Sequence, residues 1–182
     1  MKRFVDDLVA AIQMFYQDQG ALIEHRVHER TIASWVHSYL VKLGGLCYDG
    51  LYWDCEYNRM RNQDPKISCP RKRIVPDLIL HDRGSRNMVI CEMKAVWDVG
   101  PSGRFCQRIR KGICKDYDTL RSAVNGCMLG YCVGLHVIFT AESFYMLRFE
   151  RGGNLCVEPP EDFQTVERKY DIYNPNENPI FN

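Results

Sequence analysis

The chain has 182 residues, 46% of them hydrophobic, which is long enough for one well-buried domain and short for two. Lys and Arg count 24 against 23 Asp and Glu, a formal net charge of +1, and that balance argues against a histone-like, wholly basic nucleic-acid binder. Charged residues at 26% and aromatics at 12% argue equally against a disordered chain.

Residues 2–17 carry Phe4, Leu8, Ala11, Ile12 and Phe15 at three- and four-residue spacing, which predicts a helix. A second helix is predicted from His28 to about Leu43 on the stripe Ile32, Val36, Tyr39, Leu40 and Leu43, with Gly44-Gly45 as its stop. A strand from Leu51 to Tyr57 follows, then Asn58-Arg59 and a loop over 60–70 with two prolines. Ile74–Leu80 and Met88–Lys94 read as two strands, and Arg83-Gly84-Ser85 between them suits a hairpin connection. The stripe Ile109, Ile113, Tyr117, Leu120, Val124 predicts a helix from about Phe105 to Val124. A buried strand from Tyr131 to Thr140 comes next, then a hairpin of Phe144–Phe149 with Leu155–Val157 around Gly152-Gly153. The expectation is one α/β domain over residues 1–157 with a mixed sheet, and an irregular Pro- and Asn-rich tail over 158–182.

The nine cysteines are odd in number and include no CxxC pair, and Cys91 and Cys132 fall inside apolar runs where cysteine acts as a small hydrophobe. A secreted disulfide scaffold would be shorter and evenly paired. Asp6 and Asp7 interrupt any signal-peptide core, and no stretch approaches the roughly 18 apolar residues of a membrane span. A reduced, soluble, cytoplasmic protein is therefore expected.

The near-zero charge is a cancellation. Residues 1–58 carry 5 basic and 8 acidic side chains, residues 59–111 carry 13 and 5, and residues 112–182 carry 6 and 10. The basic middle holds Arg71-Lys72-Arg73 and the run Arg104, Arg108, Arg110, Lys111, a composition that attracts phosphates. A solvated basic loop face explains such a cluster equally well.

The same segment holds Asp77 and the triplet Glu92-Met93-Lys94. Side chains two apart on a strand share a face, so Glu92 and Lys94 point the same way, and Asp77 joins them if the two strands are neighbours. Buried charges of this kind cost several kcal/mol each unless paired or metal-bound. A hard cation such as Mg²⁺ needs only one or two carboxylates and waters, and a lysine beside it can orient water or stabilise the charge of a phosphoryl transition state. A lone Glu-x-Lys is common; its position at the end of an apolar strand that follows a Pro-Asp strand raises the signal.

Pro76-Asp77 followed by Glu92-Met93-Lys94 resembles the signature of the PD-(D/E)xK nuclease superfamily. Three further segments are similar to a group of small bacterial members: Glu29-Arg30-Thr31-Ile32-Ala33 at a helix start, Glu56-Tyr57-Asn58-Arg59 at a strand end, and Lys115-Asp116 with Leu120 on a helix. The resemblance implies a restriction-endonuclease-like core, α-β-β-β-α-β, over about residues 28–140, with an extra N-terminal helix and a C-terminal strand pair. It implies Asp77, Glu92 and the Met93 carbonyl as ligands of Mg²⁺, for which Mn²⁺ would substitute. Lys94 would position or activate water, and Glu29 would stand beside the metal. A first-turn acid favoured by the helix dipole explains Glu29 equally well, and Glu24 is a weaker substitute for its role. Arg59, Arg71, Lys72, Arg73, Arg104, Arg108, Lys111 and Lys115 are the candidate nucleic-acid contacts. A structural ion pair is an equal reading of Lys115 with Asp116, and packing is the first reading of Trp35, Trp53 and Trp97. His25 and His28 flank Glu29 near the expected cleft and read as surface residues.

The resulting expectation is a Mg²⁺-dependent nuclease of a bacterial or phage-type cytoplasm, with DNA ahead of RNA as substrate. A catalytically silent nuclease-fold module that binds nucleic acid or protein is the alternative. A homodimer with two metal sites on two strands is a third reading, for which the sequence offers no interface.

Overall fold

The computed structural model describes residues 2–44, 50–55, 67–68, 72–97, 104–125, 129–152, 159–160 and 162–173. The chain opens with helix α1 (Lys2–Gln19), a single turn α2 (Ala21–Glu24) and helix α3 (Glu29–Lys42). Strand β1 (Tyr52–Cys55), the two-residue strands β2 (Ile67–Ser68) and β3 (Lys72–Arg73), β4 (Leu78–His81) and β5 (Asn87–Ala95) follow. Helix α4 (Gln107–Asn125), β6 (Val133–Phe139), β7 (Phe144–Glu150), α5 (Phe163–Lys169) and β8 (Asp171–Tyr173) complete it. Among the described residues no helix is long and apolar enough to cross a membrane.

Six strands form one mixed sheet in the order β1-β4-β5-β6-β7-β8. Only β5 and β6 pair in parallel, and such a pair needs a crossover, which α4 supplies. β4 and β5 are antiparallel neighbours with Leu78 opposite Cys91, so the expected hairpin holds. The Asp54 carboxylate pins it from β1: His81 Nε2 lies 2.8 Å from Oδ2, and Arg83 donates to both carboxylate oxygens.

Alternation along the strands divides the core in two. Leu78, Leu80, Cys91, Met93, Leu135 and Val137 pack against Leu8, Ile12 and Phe15 of α1 and Ile32, Val36 and Leu40 of α3. Ile79, Ile90, Ile138 and Phe149 face the other way, onto Ile113, Leu120 and Val124 of α4 and Val166 of α5. A sheet covered on both faces explains why β5 and β6 read as nearly continuous apolar runs. Period two then places Asp77, Glu92 and Lys94 on the α4 face.

Gly134 lets α4 approach the sheet. A Cβ there would lie 3.1 Å from Val124 Cγ2 and 3.3 Å from Leu120 Cδ2. Gly134→Val should therefore lower the unfolding free energy by about 1–3 kcal/mol through overpacking, measured as a fall in the urea midpoint. An unchanged midpoint would mean that α4 moves away freely.

Several expectations need correction. The first strand of the motif pairs only from Leu78, because Pro76 has no N–H to give a ladder. The segment read as a loop over 60–70 contributes Ile67–Ser68, paired with Lys72–Arg73. The tail read as irregular contains α5 and β8, and β8 pairs with β7. Asp162 caps α5 by accepting from the Thr165 N–H at 2.8 Å, and Val166 anchors the helix in the core. The predicted strand at Leu155–Val157 and the end of the first strand at Glu56 and Tyr57 lie outside the described residues. The packing reading of Trp53 holds, since it is 1% exposed and belongs to the core.

Candidate active site

Asp77, Glu92, Met93 and Lys94 line one cavity of about 290 Å³ together with His28, Glu29 and Arg30 of the α3 N-terminus, Lys115, Asp116 and Thr119 of α4, and Ile74 and Val75. The β4–β5 register brings the motif together. Leu78 faces Cys91 across the ladder, so Asp77 and Glu92 meet as the next pair just beyond its end. The Met93 N–H donates to Asp77 Oδ2 at 2.7 Å. The N–H and carbonyl of one strand residue point to the same edge, so the Met93 carbonyl faces this gap as well.

Glu29 belongs to the site. His28 caps α3 by accepting from the Arg30 N–H, which fixes the first turn and aims Glu29 at β5. Glu29 Oε2 accepts from Lys94 Nζ at 3.0 Å and Oε1 from the Ala95 N–H at 3.3 Å. On its other side Lys94 Nζ lies 3.2 Å from Asp116 Oδ2. Glu24 instead lines a separate cavity of about 600 Å³ with Trp97, Tyr145 and Phe163. That cavity is larger but holds neither the carboxylate pair nor the lysine, so the smaller one is the candidate site.

Burial sets the electrostatics. It pushes the Asp77 carboxyl up to about 7, against the Met93 N–H, with the Asp116 and Glu29 carboxylates adding to the rise. Glu92, 7% exposed, is driven well above the ordinary carboxyl range by burial and then by Asp77 and Asp116. Burial works against the Lys94 ammonium, but Asp116 and Glu29 outweigh it and hold its pKa above the usual value. Lys94 is therefore a fixed cation between two carboxylates.

Burial opposes the ionisation of both carboxyls, so a divalent cation is a charge that could compensate them. Among the described residues no three His, Cys, Asp or Glu side chains gather closely enough to hold a metal by themselves.

Of the predicted phosphate contacts, Lys115 lines the cavity and favours the charged form of Glu92. Arg108 and Lys111 are exposed on α4 outside the cavity lining, two turns and one turn before Lys115 respectively. Arg104 is exposed, sits in an isolated bridge opposite Asp162 and is not among the residues that line the cavity. Lys72 and Arg73 form β3, whose partner β2 lies against α4. Arg59 and Arg71 fall outside the described residues, as do Tyr57 and Asn58.

The sequence leaves Asp116 between an ion pair with Lys115 and a substrate contact, whereas in the structure it faces Lys94 at 3.2 Å. Its spacing carried a signal: three after Ile113 and four before Leu120, it is a carboxylate on the buried stripe of a helix. No family model, curated protein or solved structure matches the chain. The chemistry therefore rests on the cavity itself.

Proposed function

We propose that the chain is a metal-dependent nuclease of the PD-(D/E)xK kind that hydrolyses phosphodiester bonds, with DNA ahead of RNA as its substrate. The observation that carries this reading is the meeting of Asp77, Glu92 and a doubly clamped Lys94 in one small polar cavity. The chain order α3, β1, β4, β5, α4, β6 supports a restriction-endonuclease-like core.

Asp77 and Glu92, with the Met93 carbonyl, would hold Mg²⁺. When bound, the ion supplies positive charge to phosphate oxygens and makes a coordinated water more acidic. Lys94 stays protonated, so its part is to orient the attacking water by hydrogen bonding and to stabilise the negative charge that develops on phosphate, rather than to take a proton. Lys115 at the cavity rim, with Arg108 and Lys111 further along α4, offers cations to the nucleic-acid backbone.

Purified protein incubated with plasmid, single-stranded DNA and RNA should cleave at least one of them in Mg²⁺ or Mn²⁺ and none in EDTA. Absence of cleavage on all three, or cleavage that survives Asp77→Ala at full rate, overturns the enzymatic reading and leaves the silent module.

A further inference from the structure

Lys94 is a flexible side chain with four rotatable bonds, and to act on one water or one phosphate oxygen it must be held in one place. We propose that Gly112 and Asp116 of α4 form a slot that positions the Lys94 ammonium. The inference rests on the reading of Lys94 as the lysine of a phosphodiester-cleaving site.

Three observations converge. Gly112 lies inside the 19-residue helix α4, where glycine is roughly 1 kcal/mol less favourable than alanine. A Cβ at that position would stand 3.2 Å from Lys94 Cε and 3.3 Å from Nζ, tighter than ordinary contact. The missing side chain thus leaves the room that the lysine occupies. One turn on, Asp116 presents Oδ2 to Lys94 Nζ at 3.2 Å, while Glu29 closes the opposite side at 3.0 Å.

The third observation is what Asp116 lacks. It is 5% exposed, yet Oδ2 accepts no hydrogen bond of good geometry, and His136 Nε2, 3.8 Å away, has no hydrogen-bond partner either. The His136 ring is held from behind, with Nδ1 2.7 Å from the Tyr170 hydroxyl, which donates to the Tyr117 hydroxyl at 3.0 Å. A buried carboxylate oxygen that the core leaves without a hydrogen bond is retained at a cost. The one cation placed to compensate it among the contacts described is Lys94. Gly112 and Asp116 are positioning residues: they act through Lys94 and touch no reacting atom.

Gly112→Ala separates positioning from folding, because alanine favours the helix. Its thermal midpoint should not fall, while kcat drops roughly tenfold or more with KM and Mg²⁺ affinity within about twofold of wild type. Asp116→Asn, close in shape, should lower kcat similarly. In a Lys94→Ala background neither substitution should reduce the residual rate further, since the group they position is gone. Trace acetylation with acetic anhydride, read by mass spectrometry, reports on the slot without any activity: Lys94 should label several-fold faster in both variants. Unchanged kcat, a loss that multiplies in the Lys94→Ala background, or unchanged labelling overturns the slot. An inactive wild type whose Lys94 labelling still rises in the variants overturns the nuclease reading and leaves the slot standing; inactivity with unchanged labelling overturns both.

Discussion

Asp77→Asn should reduce cleavage by roughly a thousandfold, equivalent to about 4 kcal/mol of transition-state stabilisation, and abolish Mg²⁺ binding measurable by calorimetry. The substitution is nearly isosteric, and its amide oxygen can still accept from the Met93 N–H, so the strand end keeps its geometry. What disappears is the charge that a cation requires. The same change removes a buried carboxyl whose ionisation is unfavourable, so above neutral pH the metal-free variant should be more stable than the wild type. Loss of activity together with a gain in stability is the signature of a site organised for a ligand rather than for the fold. Full-rate cleavage by the variant, or undiminished metal affinity, would remove Asp77 from the site; a large fall in stability would make it a structural residue.

Metal-free protein should lose stability as pH rises from about 5 toward 7.5, and millimolar Mg²⁺ should offset most of that loss. The Asp77 carboxyl has a folded-state pKa of about 7 against an ordinary 3.8, so between these values the folded state holds a proton that the unfolded state has released. Stability then falls with increasing pH, by at most about 1.4 kcal/mol per pH unit for each such group. Glu92 shifts in the same direction and adds to the slope. Asp54 and Asp82 act oppositely. Although burial tends to raise both, Arg83 and His81 hold Asp54 below the ordinary carboxylate range, and the Arg86 and Gly84 N–H groups hold Asp82 there, so their contributions are lost only as pH falls through the acid range. Urea unfolding at pH 5, 6 and 7.5, with and without Mg²⁺, checks the prediction, and Asp77→Asn should flatten the metal-free slope. Stability that climbs steadily from pH 5 to 7.5 without metal would contradict it.

Much of the element order was legible because local patterns carry it. The stripe of α4 and the apolar run of β5 identified themselves by period, and Asp77, Glu92 and Lys94 stood out as charges at the ends of apolar strands. Elements with weak local signals were harder. α5 is seven residues long in a Pro- and Asn-rich setting, although Asp162 as its cap and the spacing of Phe163, Val166 and Tyr170 form a readable helix start. Strand β8 has three residues and owes its conformation to the edge of β7. His81 gave no sign of its burial, since only pairing with neighbouring strands encloses it.

The sequence by itself determined an α/β domain, a basic central segment and a Pro-Asp, Glu-x-Lys pair of strands, because composition, periodicity and alternation are properties of the chain. Only the tertiary structure decided that Lys94 is clamped between Glu29 and Asp116 and that Gly112 leaves space for it. These groups come from α3, β5 and α4, far apart in sequence, and are brought within hydrogen-bonding distance by the sheet register and the α4 crossover. The near-neutral total of +1 conceals this arrangement twice: it averages over a basic segment, and it counts as ordinary charges two carboxyls whose ionisation burial opposes.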